Sequence, residues 1–250
     1  MFRLFKYTLC AGIATIILAG CGDSLTPQEK LNAAVDAAQN NRWDEVNEIC
    51  GSLLEQQPAC VDAITLKAVA LARLNRYPEA VSEIRRAVEL DPASFPAQYM
   101  AGWLAAKESG REAQAMDRLT VALRLQPTDP NTLMMLAALG GKLNDDTTSL
   151  YLDMLPPADK TRPEALNLRG VYFALRNSND IALRAFLDAY QTAPKSPDAA
   201  LNLARFYDYY MGDRSNAIAK YQEFIALAGD SPKYASAKTL AEGRINTLRR

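Results

Sequence analysis

Residues 76–92 read RYPEAVSEIRRAVELDP, and their apolar side chains fall on one helical stripe. Ala80, Ile84 and Ala87 follow at intervals of four and three, which lines up one face of an α-helix. Pro92 ends the run, because it has no amide to donate and its ring clashes with the preceding turn. The arrangement recurs: a small residue, a bulky one about four positions later, another small one, then proline. Everything from residue 27 to about 230 divides into such units, each predicting a helix, a short turn and a second helix.

In the first unit the segments KLNAAVDAAQN and VNEICGSLLEQQ predict the two helices, NRWDE the turn, and Pro58 the stop. Pro58 and Pro92 lie 34 apart, as do Trp43 and Tyr77, so two landmarks share one period. The third unit carries Gly102, a turn at Ser109-Gly110, then Ala115, Leu119, Ala122 and Pro127. Ala80 and Ala115 are 35 apart, which places one extra residue in that copy. The fifth unit has Gly170, Phe173, Ala182, Phe186, Ala189 and Pro194; the sixth has Ala204, Tyr207, Ala217, Tyr221 and Phe224. The fourth, residues 130–162, is the poor copy. Gly140-Gly141 weakens its first helix, each glycine costing about 1 kcal/mol against alanine. Its second helix is cut short by Pro156-Pro157, and Ser149 stands at the closing small position. Such a unit is either a bend with a purpose or drift that its neighbours still hold in place. Residues 231–250 predict one more helix, with Ala235, Leu240, Ile245 and Leu248 turned inward and Lys238, Arg244, Arg249 and Arg250 exposed as a solvating cap.

These residues and intervals resemble the tetratricopeptide repeat family, whose repeat ends in the pattern A-x3-F…P. The resemblance covers residues 27–230, strongest in units two, three, five and six. It implies an all-α fold, a right-handed superhelix of about six helix hairpins plus a C-terminal capping helix, with the first helices lining a concave groove. Members of the family typically bind peptides, helices or other proteins there, and most are not enzymes. Counting each unit from its first helix places Thr65, Val69, Tyr99, Trp103, Met134, Ala138, Asn167, Val171, Leu201 and Arg205 inward. The Lys and Asn set with which some members hold an acidic peptide end is not visible: Val69, Ala138 and Val171 stand where its Asn would be useful. Tyr99 and Trp103 are the aromatic anchors of such a groove, or else core residues at helical spacing. A dense aromatic stretch, Phe206, Tyr207, Tyr209 and Tyr210, cannot all face one way on a helix. Tyr207 and Tyr221 fall at packing positions, so Tyr209 or Tyr210 is expected at the surface, as a docking patch or as hydroxyls tolerating water.

The first twenty residues change the picture. Arg3 and Lys6 precede an apolar run over residues 7–20 that ends LAGC at Cys21. A basic start and a short apolar core describe a secretory signal peptide, and fourteen residues fall short of the ~20 a membrane span needs. The tetrapeptide resembles the lipobox of bacterial lipoproteins, which implies an acylated Cys21 as the mature N-terminus and residues 21–26 as a lipidated tether. Gly22 in place of Asp implies sorting to the outer membrane, facing the periplasm. Cys10 leaves with the signal peptide. Cys50 and Cys60 are then a disulfide of an oxidising compartment, or buried small hydrophobes whose separation forbids the bond.

Of 28 basic residues Arg3 and Lys6 account for two, leaving 26 against 29 acidic side chains, so no basic face for nucleic acid is expected. There is no histidine, which removes the commonest general base and metal ligand. No CxxC and no phosphate-binding glycine loop occur, and Asp145-Asp146 lies on a turn. No cofactor, metal or catalytic constellation is expected. The sequence therefore points to a membrane-anchored scaffold for protein or peptide partners in the bacterial envelope, in an assembly, secretion or pilus-type accessory role. The alternatives are a self-associating, homo-oligomeric structural lipoprotein or, behind it, an envelope enzyme or small-ligand-binding solenoid.

Overall fold

The computed structural model describes residues 25–143 and 146–250. The expected signal peptide, Cys21 and the start of its tether, and Asp145, lie outside the described residues. Among those described there is no strand. The chain divides between Pro127 and Thr128 into two compact units.

Unit one is three stacked hairpins: α1 (Pro27–Gln39) with α2 (Trp43–Gln56), α3 (Val61–Arg73) with α4 (Tyr77–Leu90), and α5 (Phe95–Lys107) with α6 (Glu112–Leu125). Helices α1 and α2 each begin three residues before the expected segments, at Pro27 and Trp43, the second inside the expected turn. Thr26 caps α1 by accepting from the Glu29 amide, while the Glu29 carboxylate accepts from the Thr26 amide at 2.7 Å. These bonds from Thr26 hold the Glu29 carboxyl below its usual range. Trp43 and Tyr77, the landmarks of the 34-residue period, each open a second helix.

Each turn turns on one left-handed residue. Asn41 (φ 58°), Asn75 (φ 62°) and Gly110 (φ 85°) reverse the three hairpins of unit one. Asn tolerates this conformation through its short polar side chain, and Gly has no Cβ to clash. The extra residue of the third copy sits in its turn: Glu108, Ser109, Gly110 and Arg111 link α5 to α6, where Leu74, Asn75 and Arg76 suffice between α3 and α4.

Unit two holds α7 (Pro130–Leu143) with α8 (Thr147–Met154), a single turn α9 (Pro157–Lys160), α10 (Pro163–Leu175) with α11 (Asn179–Thr192), and α12 (Pro197–Phe206) with α13 (Arg214–Ala228). A 3-10 turn, Pro232–Tyr234, then leads into α14 (Ala235–Leu248). Between α12 and α13 the helix widens into a π-turn, Tyr207–Met211, before Gly212 (φ 65°) reverses the chain.

The expected closing residues do close the hairpins: Ala80, Ala115, Ala182 and Ala217 are all fully buried. Opposite them stand positions that need glycine. A Cβ on Gly102 would lie 2.6 Å from Leu119 Cγ, and one on Gly170 2.8 Å from the Phe186 ring. Cys50 is buried in the core of unit one and Cys60 precedes α3; both are free thiols. Burial pushes the Cys50 thiol up to about 12, so it stays protonated and acts as a small hydrophobe.

Two expectations need correction. In the fourth unit the closing residue is Thr148, buried and donating to the Ala137 carbonyl, rather than Ser149. Gly140 there is a contact and not simply a weak point, since a Cβ on it would meet Thr148 Oγ1 at 2.8 Å. In α14 the buried face is Ala241 and Ile245, with Ala237 and Leu248 beside them, while Ala235 is exposed and Leu240 is 62% exposed. Leu240 lies about 100° round the helix from Ala241, so the start set by the 3-10 turn decides which of the two faces inward. Arg244 is not a free solvating charge either, as described next.

Candidate functional site

The ten positions expected to line an inner groove separate into core and surface. In unit one Thr65 and Tyr99 are buried, Tyr99 stacking on Phe95 one turn earlier with ring centroids 6.0 Å apart. Trp103 keeps an edge in solvent, with Lys107 Nζ 5.0 Å from its ring. Val69 is half-buried. In unit two Met134 and Leu201 are buried, Ala138 and Asn167 half-buried, and Val171 and Arg205 exposed. Asn167 Oδ1 is shielded from solvent without a hydrogen-bond donor. Tyr99 and Met134 are thus buried in the core rather than presented at the surface.

The π-turn brings together what the rest leaves scattered. A π-turn spreads five residues where an α-helix would place fewer, and such bulges are frequent at functional sites. Tyr209 is 59% exposed, Met211 42% and Tyr210 39%, three large side chains in a row at the surface. They are nonetheless held. Tyr210 stacks on the buried Phe206 at 5.7 Å and 17°, and Phe206 in turn packs on Phe186 at 5.1 Å. The Arg244 guanidinium lies 5.2 Å from the Tyr209 ring, a cation–π contact from α14.

At the centre is Asp208, whose side chain is only 2% exposed. Its carboxylate accepts from Arg244 Nε at 2.9 Å, Arg244 Nη2 at 2.7 Å and the Tyr221 hydroxyl at 3.0 Å. A buried carboxylate is costly unless paired in this bidentate way. Burial, then the bond to Asp208, raises the Tyr221 hydroxyl well above its usual range, and Arg244's own bonds to Asp208 raise its guanidinium. Asp213 completes the turn, its amide donating to the Tyr207 carbonyl at 2.9 Å and its carboxylate capping α13 at Asn216.

Sequence reasoning finds Tyr209 and Tyr210 but misses Asp208 and Arg244, 36 positions apart. The one hint is the lone acid inside the aromatic run YDYYM, which must either point out or find a cation. Chemically the arrangement offers an apolar, aromatic, rigid contact surface. It has no nucleophile paired to a base. Among the described residues no group of three His, Cys, Asp or Glu side chains could hold a metal ion.

Known proteins agree with the hairpin architecture. The type IV pilus biogenesis factor PilW superposes with a TM-score of 0.72 at 17% identity, over 84% of this chain and 97% of that one. The Pseudomonas aeruginosa protein pilF gives 0.67 at 16%, over 86% and 97%. YrrB, a tetratricopeptide repeat protein with an unusual peptide-binding site, gives 0.56 at 23%, over 76% and 97%. At such identities the likeness is one of fold. No curated protein matches the sequence. The family profile described as tetratricopeptide repeat matches residues 31–95 and again 65–130, the stretch where the 34-residue period is cleanest. Residues 31–130 thus match tetratricopeptide repeats, and the buried Ala182 and Ala217 and the tight Gly170 repeat the same plan in unit two; repeats of this kind typically serve as non-catalytic scaffolds that bind protein or peptide partners.

Proposed function

We propose that this protein is a lipid-anchored scaffold of the bacterial cell envelope, acylated at Cys21, that binds another protein and catalyses nothing. The observation that carries the reading is the π-turn patch: Tyr209, Tyr210 and Met211 are exposed, with Tyr209 held by Arg244 of the Asp208 ion pair and Tyr210 stacked on the buried Phe206. Rigid aromatics lose little entropy on binding and dominate interface energetics. The basic start, short apolar run and LAGC ending support the anchor, and Gly22 supports the outer membrane with the repeats facing the periplasm. No described helix is long and apolar enough to cross a membrane, so attachment in this reading rests on the acyl chains. An accessory role in assembly, secretion or pilus formation fits the reading, since two proteins of the same fold are a type IV pilus biogenesis factor and pilF.

The test has two arms, both in intact cells. Cys21→Ser should move the protein from the membrane fraction to the soluble one, and unchanged membrane association would overturn the anchor. Tyr209→Ala with Tyr210→Ala should remove a specific crosslinked product while leaving the protein's amount unchanged; persistence of that product would overturn the patch. The same exposed patch also favours a second reading, self-association. Light scattering of residues 22–250 separates the two, because a dimer that the double variant makes monomeric replaces the hetero-partner with a second copy.

A further inference from the structure

Unit one carries a groove on the side of its second helices that none of the reasoning above uses. Helix α4 has two apolar stripes. Ala80, Ile84 and Ala87 are buried, and one position on from the first and last of these come Val81 and Val88, only half-buried. Val81 and Val88, seven residues apart, share a face. With Ala101, Leu104 and Ala105 of α5 they form the floor of a groove between α4, α5 and α6. The groove consists of two adjoining cavities of about 300 and 680 Å³ that share Val81, Arg85, Leu104, Glu108 and Arg111. It follows α4 from Pro78 to Glu89, a helical rise of about 17 Å.

Its charge departs from that of the protein. Arg85, Lys107, Arg111 and Arg118 line it against Glu89 and Glu108, on a chain whose overall balance is −1. Glu108 is already taken by Arg111 at 3.0 Å, and Arg118 Nη1 donates to Gln98 Oε1 at 3.4 Å. Arg85 is exposed in the middle of the groove and makes no hydrogen bond or ion pair to any described residue. A carboxylate arriving there breaks no existing pair. An apolar floor in a net-positive groove, with Arg85 uncommitted at its middle, matches one chemistry. We propose that this groove binds an acidic amphipathic segment of another protein, its aliphatic side chains seated on Val81, Leu104 and Val88 and a carboxylate on Arg85. The floor supplies affinity and the cations supply orientation and capture rate, which makes binding sensitive to salt. The site lies in the other unit from the aromatic patch and stands independently of it.

The experiment is fluorescence anisotropy with the full chain carrying Cys21→Ser. The probe is a labelled amphipathic peptide of about twelve residues, matched to the groove's length, built from Glu and Leu. Its control has Lys for every Glu. The Glu peptide should bind and the Lys peptide should not, with affinity falling as salt rises. Arg85→Glu should weaken binding at least about tenfold, the loss of one charge-assisted contact, with an unaltered melting temperature because Arg85 is exposed. Val81→Asp should weaken it as well, while Tyr209→Ala with Tyr210→Ala should leave it unchanged. Equal binding of both peptides, no binding of the Glu peptide, or an unchanged affinity in Arg85→Glu would each overturn the proposal. A dimer that Arg85→Glu dissociates would seat a second copy in the groove and overturn it too.

Discussion

Asp208 shows how much one residue can organise. It sits in the most aromatic stretch of the chain, almost wholly buried, and takes three hydrogen bonds from Arg244 and Tyr221. Arg244 itself is about one-third exposed, so the pair is asymmetric: removing the arginine strands the more deeply buried charge. Arg244→Met should therefore destabilise unit two by about 3–5 kcal/mol, as broken buried pairs do. Asp208→Asn together with Arg244→Met should recover part of the loss, because no uncompensated charge is left behind. Thermal unfolding of the three variants checks this, and a single variant as stable as the parent would show the pair to be ornamental. At this scale the sequence is legible where one position decides. The small closing residues and Gly102 are readable because nothing larger fits. Arg244 is not, since its partner lies far off in the chain, and the choice between Leu240 and Ala241 hangs on where α14 begins.

At the level of helices, the period explains more than propensity does. Two copies carry one residue beyond 34, and the chain absorbs the surplus in two ways. The third copy spends it in the turn before α6. In the sixth, Gly170 to Ala204 and Phe173 to Tyr207 still measure 34, whereas Ala182 to Ala217 measures 35, so the surplus falls after Tyr207, where the π-turn forms. Counting gives the insertion but not its form; the buried Asp208 favours widening the helix, because that aims its carboxylate at Arg244. The hairpin junctions are equally demanding. Ala182 has no exposed surface and closes a hairpin whose other helix brings Gly170 against the Phe186 ring. Ala182→Leu should overpack that junction and cost about 1–3 kcal/mol, read as a lower midpoint in denaturant at an unchanged slope. An unaltered midpoint would mean that the junction has room for a larger side chain.

Across the whole molecule, stability in a repeat protein is a sum of local terms, each hairpin leaning on its neighbours. Five of the six hairpins have second helices of fourteen or fifteen residues; in the fourth, α8 has only eight and α9 is a single turn. Leu150 and Met154 of α8 are exposed, and α8 buries only Thr148 and Leu152 where α11 buries four side chains. What ties it to the rest of unit two is partly polar: Arg169 pairs with Asp153 at 2.9 Å, and Arg176 with Asp146. Exposed pairs of this kind contribute roughly 1 kcal/mol or less. The weak copy read from Pro156-Pro157 is therefore weak in energy as well as in pattern, and it should be the first part of unit two to open. Hydrogen exchange of native protein tests this through the amides of α8 and α9, which should lose protection well before those of α10 and α11. High salt, by screening the two arginine pairs, should widen the gap. Uniform protection across α8 to α11 would instead mean that the short helix is carried fully by its neighbours, and that truncation of a second helix costs the array nothing.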